Sequence, residues 1–333
     1  MLFPALVLLV AGPLGAAVHR VVGASYYHTF SATHPVLARV RSGDTIVTKT
    51  VDSAGFDYQG VRRTKTHGNP LTGAFYIEGA KPGDTLTVHL RKIRLNRATG
   101  YTGHRVGLKS LAAALEPEKP VPDAVYKGYD YLVPWQLDLA RRTVTQGRLT
   151  FAAEPMLGCI GVAPEGDFSP RSGPAGYWGG NLDYRMVREG NTVLLPVFHA
   201  GALLFFGDGH AVQGDGEAVG SGVETSLDVE VEVELRQGRK LTGPRIETAT
   251  EIVSIGATHE APALDRTVEM ATADMLSWLV GEFGFTPTEA HLLIGTQARY
   301  EVITLHGSVG LRISKQALRQ VSDVESRRPK SGQ

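Results

Sequence analysis

One stretch of this sequence joins an apolar run to a polar, glycine-rich continuation. It reads Gly201-Ala202-Leu203-Leu204-Phe205-Phe206-Gly207-Asp208-Gly209-His210-Ala211-Val212-Gln213-Gly214-Asp215-Gly216-Glu217. A short apolar run is typical of a strand buried in a sheet, so the first part predicts a β-strand. The second part carries three acids and a histidine, and its glycines let the backbone bend and approach a ligand closely. We therefore expect a strand that runs into a polar loop able to hold a cation or move protons.

The spacing within this stretch predicts which side chains share a face. Along an extended chain, Asp208 and His210 point to the same side, and so do Asp215 and Glu217. The alternative is a polar hairpin tip with no function, because turns also favour glycine and aspartate.

Three other segments share a turn pattern that supports a β fold. Arg41–Val47, Lys81–Val88 and Arg188–Leu194 each contain a charged residue, then Gly-Asp or Gly-Asn, then an alternating β-type run. Such turns favour hairpins. Leu227–Leu235 alternates strictly between apolar and polar residues, which predicts a strand with one buried and one charged face. The sequence thus predicts a mainly β protein, with sandwich or barrel-like sheets built from hairpins.

The C-terminal part has a different pattern and predicts a smaller β/α/β element. Val268–Val280 has helical spacing, and Thr286–Glu289 has the form of a capping box with proline at the first helical position. This box predicts a second helix through about Gln297, and Glu301–Leu305 then predicts a strand. We expect residues 18–265 to form a mostly β catalytic core, residues 266–320 to complete the same fold, and residues 321–333 to be a flexible tail.

The N-terminus predicts a secretory signal peptide over residues 1–17. Met1–Gly12 is apolar but too short for a comfortable membrane span, and small residues suited to cleavage near Ala17 follow. This predicts a secreted or periplasmic protein without a membrane anchor after cleavage, or a cytoplasmic one if the start codon is wrongly assigned. Lysine plus arginine and aspartate plus glutamate both total 34, so the net charge is zero, which argues against nucleic acid as a partner.

The chain has a single cysteine, Cys159, which rules out an internal disulfide. Its neighbours are apolar, and apolar surroundings suppress the thiolate form. We therefore expect a buried thiol, although a nucleophilic Cys159 in a thiol amidase is an alternative.

Several blocks in order resemble a known family. They are Asn69–Gly73, Glu78–Asp84, Gly158–Pro164, Gly179–Asp183, and Pro196–Leu203 leading into Gly207–Glu217. Over roughly residues 30 to 315, the chain resembles the acetamidase/formamidase family. The resemblance implies hydrolysis of small aliphatic amides to a carboxylate and ammonia. It also implies a mostly β fold with a β/α/β element, a homo-oligomer and a bound divalent metal.

The polar residues of these blocks suggest roles consistent with that chemistry. A cation can polarise an amide carbonyl, and a carboxylate can remove a proton from water and pass it to the departing amine. We expect four metal ligands: Asp52, His67, Asp208 and His210. We expect Glu217 to be the general base, with Asp215 orienting either Glu217 or the metal-bound water. We expect Asn181, Asp183 and Glu224 to contact the substrate.

Some of these assignments have alternatives. Glu224 equally suits the start of a solvated strand, and we expect His34 and His199 to be structural. Oxygen ligands favour calcium, whereas the imidazole favours zinc. A different function is also open: a non-catalytic β-sandwich that binds a metal or small ligand in the same loop.

Overall fold

The computed structural model describes residues 15–23, 25–106, 132–259, 263–305 and 307–319. Most of the predicted signal peptide and the whole predicted tail lie outside these ranges. Within them, neither helix has the length and apolar character required to cross a bilayer.

Two large sheets make up most of the described chain. The described residues of the first sheet form nine strands. In chain order these are β1 (Val18–Arg20), β3 (Thr45–Lys49), β5 (Thr85–Leu95), β13 (Thr192–Pro196), β16 (Leu227–Arg236), β17 (Arg245–Glu247), β18 (Glu251–Ala257), β19 (Arg299–Thr304) and β20 (Ser308–Ser314). Their spatial order is β1-β3-β16-β5-β13-β17-β18-β20-β19.

The second sheet has eleven strands among the described residues. In chain order these are β2 (Ala38–Val40), β4 (Leu71–Ile77), β6 (Thr99–Gly103), β7 (Leu132–Asp138), β8 (Thr143–Gln146), β9 (Leu149–Ala152), β10 (Met156–Val162), β11 (Ala175–Gly176), β12 (Gly179–Asn181), β14 (Leu204–His210) and β15 (Glu224–Thr225). The path runs β11-β12-β10-β14-β15-β6-β7-β8-β9, while β4 pairs with both β14 and β2.

The two sheets share one main hydrophobic core. It includes Val229 and Val231 from the first sheet and Ile160 and Phe206 from the second, all essentially inaccessible to water. Residues of β16 alternate between buried and half-buried along Leu227–Glu234, as the alternating pattern predicts. The predicted mainly β fold with packed sheets is therefore confirmed.

The three predicted turns lead directly into strands. Gly43, Gly83 and Gly190 have φ angles of 93°, 91° and 89°, a left-handed conformation that glycine adopts without steric cost. In the first two turns, the carboxylates of Asp44 and Asp84 each accept two backbone N–H groups. Both aspartates therefore stabilise the fold locally.

The C-terminal element matches its prediction closely. Helix α1 (Leu264–Phe283) ends at Gly284, and helix α2 (Pro287–Gln297) starts from the predicted capping box of Thr286 and Glu289. Both helices contribute to a second hydrophobic cluster with β18 and β20. Strands β19 and β20 extend the first sheet, so this element and the β core form a common sheet.

The stretch around Asp208 differs from its prediction in one respect. Strand β14 does not end at Phe206 but continues through Gly207-Asp208-Gly209 to His210. These residues hydrogen-bond within the sheet between β10 and β15, and such pairing overrides the local preference of glycine for turns. The predicted polar loop begins only after His210.

Candidate active site

Four carboxylates surround one imidazole at a single buried place. They belong to Asp183, Asp208, Glu217 and Glu224, which are at most 8% exposed, and His210 at the centre is completely buried. His210 Nε2 lies 3.0 Å from Glu224 Oε1, 3.7 Å from Asp208 Oδ2 and 3.9 Å from Asp183 Oδ1. We call these five residues the acidic cluster.

Neighbouring strands position most of the acidic cluster. Asp208 and His210 lie on β14 two residues apart, and Glu224 on β15 is the pairing partner of His210. Asp183 follows β12, and its backbone N–H donates to the Gly158 carbonyl on β10. The predicted shared face of Asp208 and His210 is confirmed.

Glycine at position 158 permits the close approach of two acids. A Cβ atom there would lie 2.6 Å from both Asp183 Oδ1 and Asp208 Oδ2. Any larger residue at Gly158 would therefore displace these two side chains from the space that they share.

The loop that carries Glu217 is held by the C-terminal element. Gly216 N–H donates to the Ile303 carbonyl over 2.9 Å, and Leu305 N–H donates to the Gly216 carbonyl over 2.9 Å. Strand β19 thus anchors the general base predicted for this chain, which links the smaller element to the site.

Backbone conformation at the site is unusual. Among the described residues, seven that are not glycine have positive φ, and four of them are Asn69, Asp183, Asp208 and Glu217. Such conformations cost free energy and persist where the surrounding structure imposes them, often at functional sites. The fold therefore holds the backbone of these four residues in a strained conformation.

A side-chain amide determines which nitrogen of His210 faces the acids. The Nδ1 atom lies 2.7 Å from Gln213 Oε1, and Gln213 Nε2 donates to the Asp183 carbonyl over 2.5 Å. Because Gln213 Nε2 donates to a carbonyl, its Oε1 is the acceptor and His210 Nδ1 carries the hydrogen. The Nε2 atom is then the nitrogen directed at the carboxylates and available as a ligand.

The acidic cluster contains polar atoms that lack partners. Among the described residues, Asp183 Oδ1, Asp208 Oδ1, His210 Nε2 and Glu224 Oε2 are buried without a hydrogen bond. His210 Nε2 has a close ionic contact with Glu224 Oε1 at 3.0 Å, so the other oxygen of that carboxylate, Oε2, is the one without a partner. Buried polar groups are almost always satisfied, and charged ones are paired or bind a metal.

The acidic cluster fits a cation. Ligand atoms of Asp183, Asp208 and His210 lie within 4.8 Å of one another, and so do those of His210, Glu217 and Glu224. Carboxylate oxygens with one imidazole nitrogen form a donor set that suits calcium or zinc. The residues present therefore agree with the divalent metal that the family resemblance implies.

Burial and like charges alter the acid–base properties of the acidic cluster. Burial is the main cause that raises the pKa of Glu217 to about 7 and that of Glu224 to about 8, although His210 opposes both shifts. Burial lowers the pKa of His210, but Glu224 and Asp208 outweigh it, and the pKa rises well above its usual value. Glu217 thus titrates near neutral pH, which suits a general base.

Two asparagines and Cys159 support the acids from one side. Asn69 Nδ2 donates to Asp208 Oδ2 over 3.0 Å and to Asn181 Oδ1 over 3.1 Å, while Asn181 Nδ2 donates to Asp183. The Cys159 thiol donates to Asn181 Oδ1 over 2.8 Å. Burial raises the pKa of Cys159 well above its usual value, and neighbouring acids raise it further, so the predicted buried thiol is confirmed.

The acidic cluster forms the floor of a cavity of about 580 Å³. Asp183, Asp208, Glu217 and Glu224 line it, together with Asn69 and Asn181. One wall consists of Ala54, Tyr101 and Leu132, and others contain Pro174, Ala175, Thr258, His259, Thr304 and Ser308. Buried acids and an open space above them are the elements of a binding site.

Two of the predicted metal ligands, Asp52 and His67, lie apart from the acidic cluster. Asp52 is buried, but Arg97 donates to it over 2.6 Å, and the N–H groups of Ala54 and Phe56 satisfy its other oxygen. His67 lines the exposed mouth of the cavity. We therefore omit Asp52 and His67 from the proposed ligands.

The predicted shared face of Asp215 and Glu217 is wrong. Asp215 is exposed and lies 3.1 Å from Arg185, whereas Glu217 is buried in the acidic cluster. The segment between them is a turn rather than an extended chain, since Gly216 and Glu217 both have positive φ.

Of the remaining predicted residues, two lie in the acidic cluster and two are hydrogen-bonded elsewhere in the fold. Asp183 and Glu224, which we expect to contact substrate, each also have a ligand atom within 4.8 Å of one on His210. His34 and His199 are hydrogen-bonded to Thr29 and to the Pro164 carbonyl.

Sequence reasoning missed the supporting roles of Gln213 and Asn69. Asn69 begins the block Asn69–Gly73, and Gln213 lies three residues after His210. Because amide side chains are common in turns, the local sequence does not distinguish these two from ordinary turn residues.

The fold and the acidic cluster define a β-sandwich protein with a buried polar site between strands and loops. A model of the acetamidase/formamidase family matches residues 167–305. This range contains all five residues of the acidic cluster, and the resemblance to this family is therefore confirmed.

Comparison with individual proteins agrees. A putative formamidase of Schizosaccharomyces pombe is 27% identical over 211 residues, half of this chain and half of that protein. The crystal structure of acetamidase from Yersinia enterocolitica is similar with a TM-score of 0.77 and 25% identity, covering 93% of this chain and 95% of the other. A predicted acetamidase/formamidase from Thermoanaerobacter tengcongensis gives a TM-score of 0.77 and 28% identity over 93% of this chain and 99% of that one.

Proposed function

We propose that this protein hydrolyses short linear amides of the acetamide or formamide type. In the reaction, the amide C–N bond breaks, a C–O bond to water forms, and the products are a carboxylate and ammonia. The observation that carries the proposal is the set of unpartnered, buried acidic and imidazole atoms beneath an open cavity. The similarity to proteins named acetamidase and formamidase supports the same activity.

The acidic cluster would hold a divalent cation through Asp183, Asp208 and His210, and Glu224 approaches the same Nε2 atom of the imidazole. Gln213 keeps the hydrogen on Nδ1 of His210 and so leaves Nε2 as the donor. When bound, such a cation polarises an amide carbonyl or acidifies water. Zinc and calcium both suit this mixed donor set.

Glu217 acts as the general base in this proposal. Its carboxylate lines the cavity, is almost buried, and has a pKa of about 7. It removes a proton from the attacking water and delivers it to the amide nitrogen, which then leaves as ammonia. Asn181 also lines the cavity, where its amide can orient the substrate.

Ammonia release from acetamide and formamide, measured beside metal content, tests the proposal. Glu217→Gln removes the base while keeping the size of the side chain, and we expect a fall of roughly 10²–10⁴-fold in kcat. Asp215→Asn is the matched control, because this acid lies two residues away but outside the acidic cluster. It should retain activity, and both variants should keep their metal.

The non-catalytic alternative makes a different prediction in the same experiment. If the wild-type protein binds metal yet releases no ammonia from a panel of amides, the β-sandwich is a binding module. If Asp215→Asn abolishes activity and Glu217→Gln does not, the assignment of the base is wrong.

A further inference from the structure

The wall of the cavity beside the acidic cluster is apolar. Ala54, Tyr101 and Leu132 form a hydrophobic cluster of their own, separate from the main core, with Phe56 packed against it. All three also line the cavity, and we call them the apolar wall. A separate hydrophobic cluster that borders an open cavity offers apolar surface to whatever enters.

Strand pairing places the apolar wall next to the acids. Tyr101 on β6 is the direct pairing partner of Glu224 on β15, and Leu132 on β7 pairs with Gly103, two residues beyond Tyr101. Side chains of paired residues lie on one face, with Cβ atoms about 4.5–5.5 Å apart. The apolar wall therefore begins one side chain away from the acidic cluster.

The polar end of Tyr101 already has partners within the protein. Its hydroxyl lies 2.6 Å from the Ser53 hydroxyl and accepts the Ala54 N–H over 3.0 Å. The hydroxyl of Tyr101 is therefore hydrogen-bonded within the protein, and the residue lines the cavity.

The charged side chains described in the cavity lining are acidic, apart from two histidines. Among the described residues that line it there is no lysine or arginine, whereas four carboxylates form its floor. A negatively charged acyl end would meet no lysine or arginine among the described lining residues, and like charges brought together at an interface cost several kcal/mol. The volume of about 580 Å³ lies within the range of roughly 300–1,000 Å³ typical of sites for much larger ligands than acetamide.

We propose that the substrate is a primary amide whose acyl group is an uncharged aliphatic chain of several carbons, packed on the apolar wall. This inference rests on the proposed amide hydrolysis and adds the class of acyl group to it. The amide group would lie over the acidic cluster and the alkyl chain along Tyr101 and Leu132.

Kinetics on a series of linear amides test this inference. For the metal-loaded wild-type protein, kcat/KM should rise from acetamide through propionamide and butyramide by up to roughly fourfold for each buried methylene. Succinamate, which carries a carboxylate at the end of a similar chain, should react at least about tenfold more slowly than butyramide. A value of kcat/KM that falls from acetamide to butyramide, or succinamate as good as butyramide, would overturn the inference.

Two variants on one strand provide a matched comparison. Leu132→Ala removes part of the apolar wall and should reduce the butyramide-to-acetamide ratio of kcat/KM severalfold. Leu137→Ala on the same strand is similarly buried but belongs to another hydrophobic cluster, so its ratio should equal that of the wild type. Equal ratios in the two variants would contradict the inference.

Failure of the inference and failure of the proposed function give different results. Hydrolysis of acetamide without preference for longer chains would contradict only the acyl-group inference. No ammonia from any amide would overturn both. If Leu132→Ala does not fold, the series with the wild-type protein still decides the question.

Discussion

Asp52 and Asp208 are both almost completely buried, but their surroundings differ. Each oxygen of Asp52 has a partner, from Arg97 or from backbone N–H groups. Asp208 has one oxygen without a partner and lies among three further carboxylates around His210. A buried acid with its own cation is compensated within the protein, whereas a group of buried acids without enough positive charge requires protons or a bound cation.

The largest expected effect comes from removing the cation that Asp52 already has. Arg97→Leu leaves the Asp52 carboxylate buried without its charged partner, and should destabilise the protein by about 3–5 kcal/mol. Denaturant unfolding measures the change. Arg141→Leu is the control, because Arg141 is exposed and should change stability little. Equal stability of the two variants would show that Arg97 does not compensate Asp52.

The second prediction concerns the metal-free protein and its dependence on pH. The folded protein has raised pKa values of about 7 for Glu217 and about 8 for Glu224, compared with 4.5 for ordinary glutamates. Between the ordinary glutamate pKa of 4.5 and these raised values, the unfolded chain has released protons that the folded protein still binds. The free energy of unfolding therefore falls as pH rises through this range. His210, with its raised pKa, acts in the same direction.

Thermal unfolding after chelation should therefore show Tm falling by roughly 5 °C or more between pH 5 and pH 8. The metal-loaded protein should lack most of this slope, because the cation replaces the protons. Glu224→Gln in the chelated protein should reduce the slope. A Tm that stays constant or rises over this pH range would refute the comparison with Asp52.

The third prediction tests how His210 is oriented. Gln213→Leu removes both the acceptor for His210 Nδ1 and the donor to the Asp183 carbonyl, and should weaken metal affinity by about 10–100-fold. Competition with a chelator measures the affinity, and ¹⁵N NMR of the imidazole reports which nitrogen carries the hydrogen. Gln136→Leu, at an exposed position, should change neither. Unchanged affinity and an unchanged imidazole spectrum in Gln213→Leu would exclude this role.

The smallest effect is expected at Cys159. Its thiol is buried and its pKa is raised, so it is a poor nucleophile despite its position beside Asn181. Cys159→Ala should change kcat by no more than roughly tenfold, since one neutral hydrogen bond contributes roughly 0.5–1.5 kcal/mol. Loss of ammonia release in this variant would favour the thiol-amidase alternative.

The sequence predicted best what short-range geometry controls. The Gly-Asp turns before β3 and β5 require positive φ at glycine, and the capping box of Thr286 and Glu289 starts α2 as predicted. The alternation along Leu227–Leu235 also identified a strand with one buried face. Each of these signals depends on neighbours within a few residues of the chain.

Prediction was weaker for Asp52 and Asp215, because an acid beside glycine has the same local pattern whether or not it has a partner. Arg97, which pairs with Asp52, is 45 residues away along the chain. Gly216 turns the backbone so that Asp215 faces solvent while Glu217 is buried. Neither difference has a signature in the local sequence.

The amino-acid sequence by itself determined the mainly β class, the C-terminal helices and the presence of Asp208, His210 and Glu217 in one segment, because backbone preferences and hydrophobic periodicity are local. Only the tertiary structure decided that Asp183 and Glu224 meet His210, that Gln213 orients the imidazole, and that Arg97 neutralises Asp52. Electrostatic compensation depends on distances between residues far apart in the chain, and folding alone sets those distances.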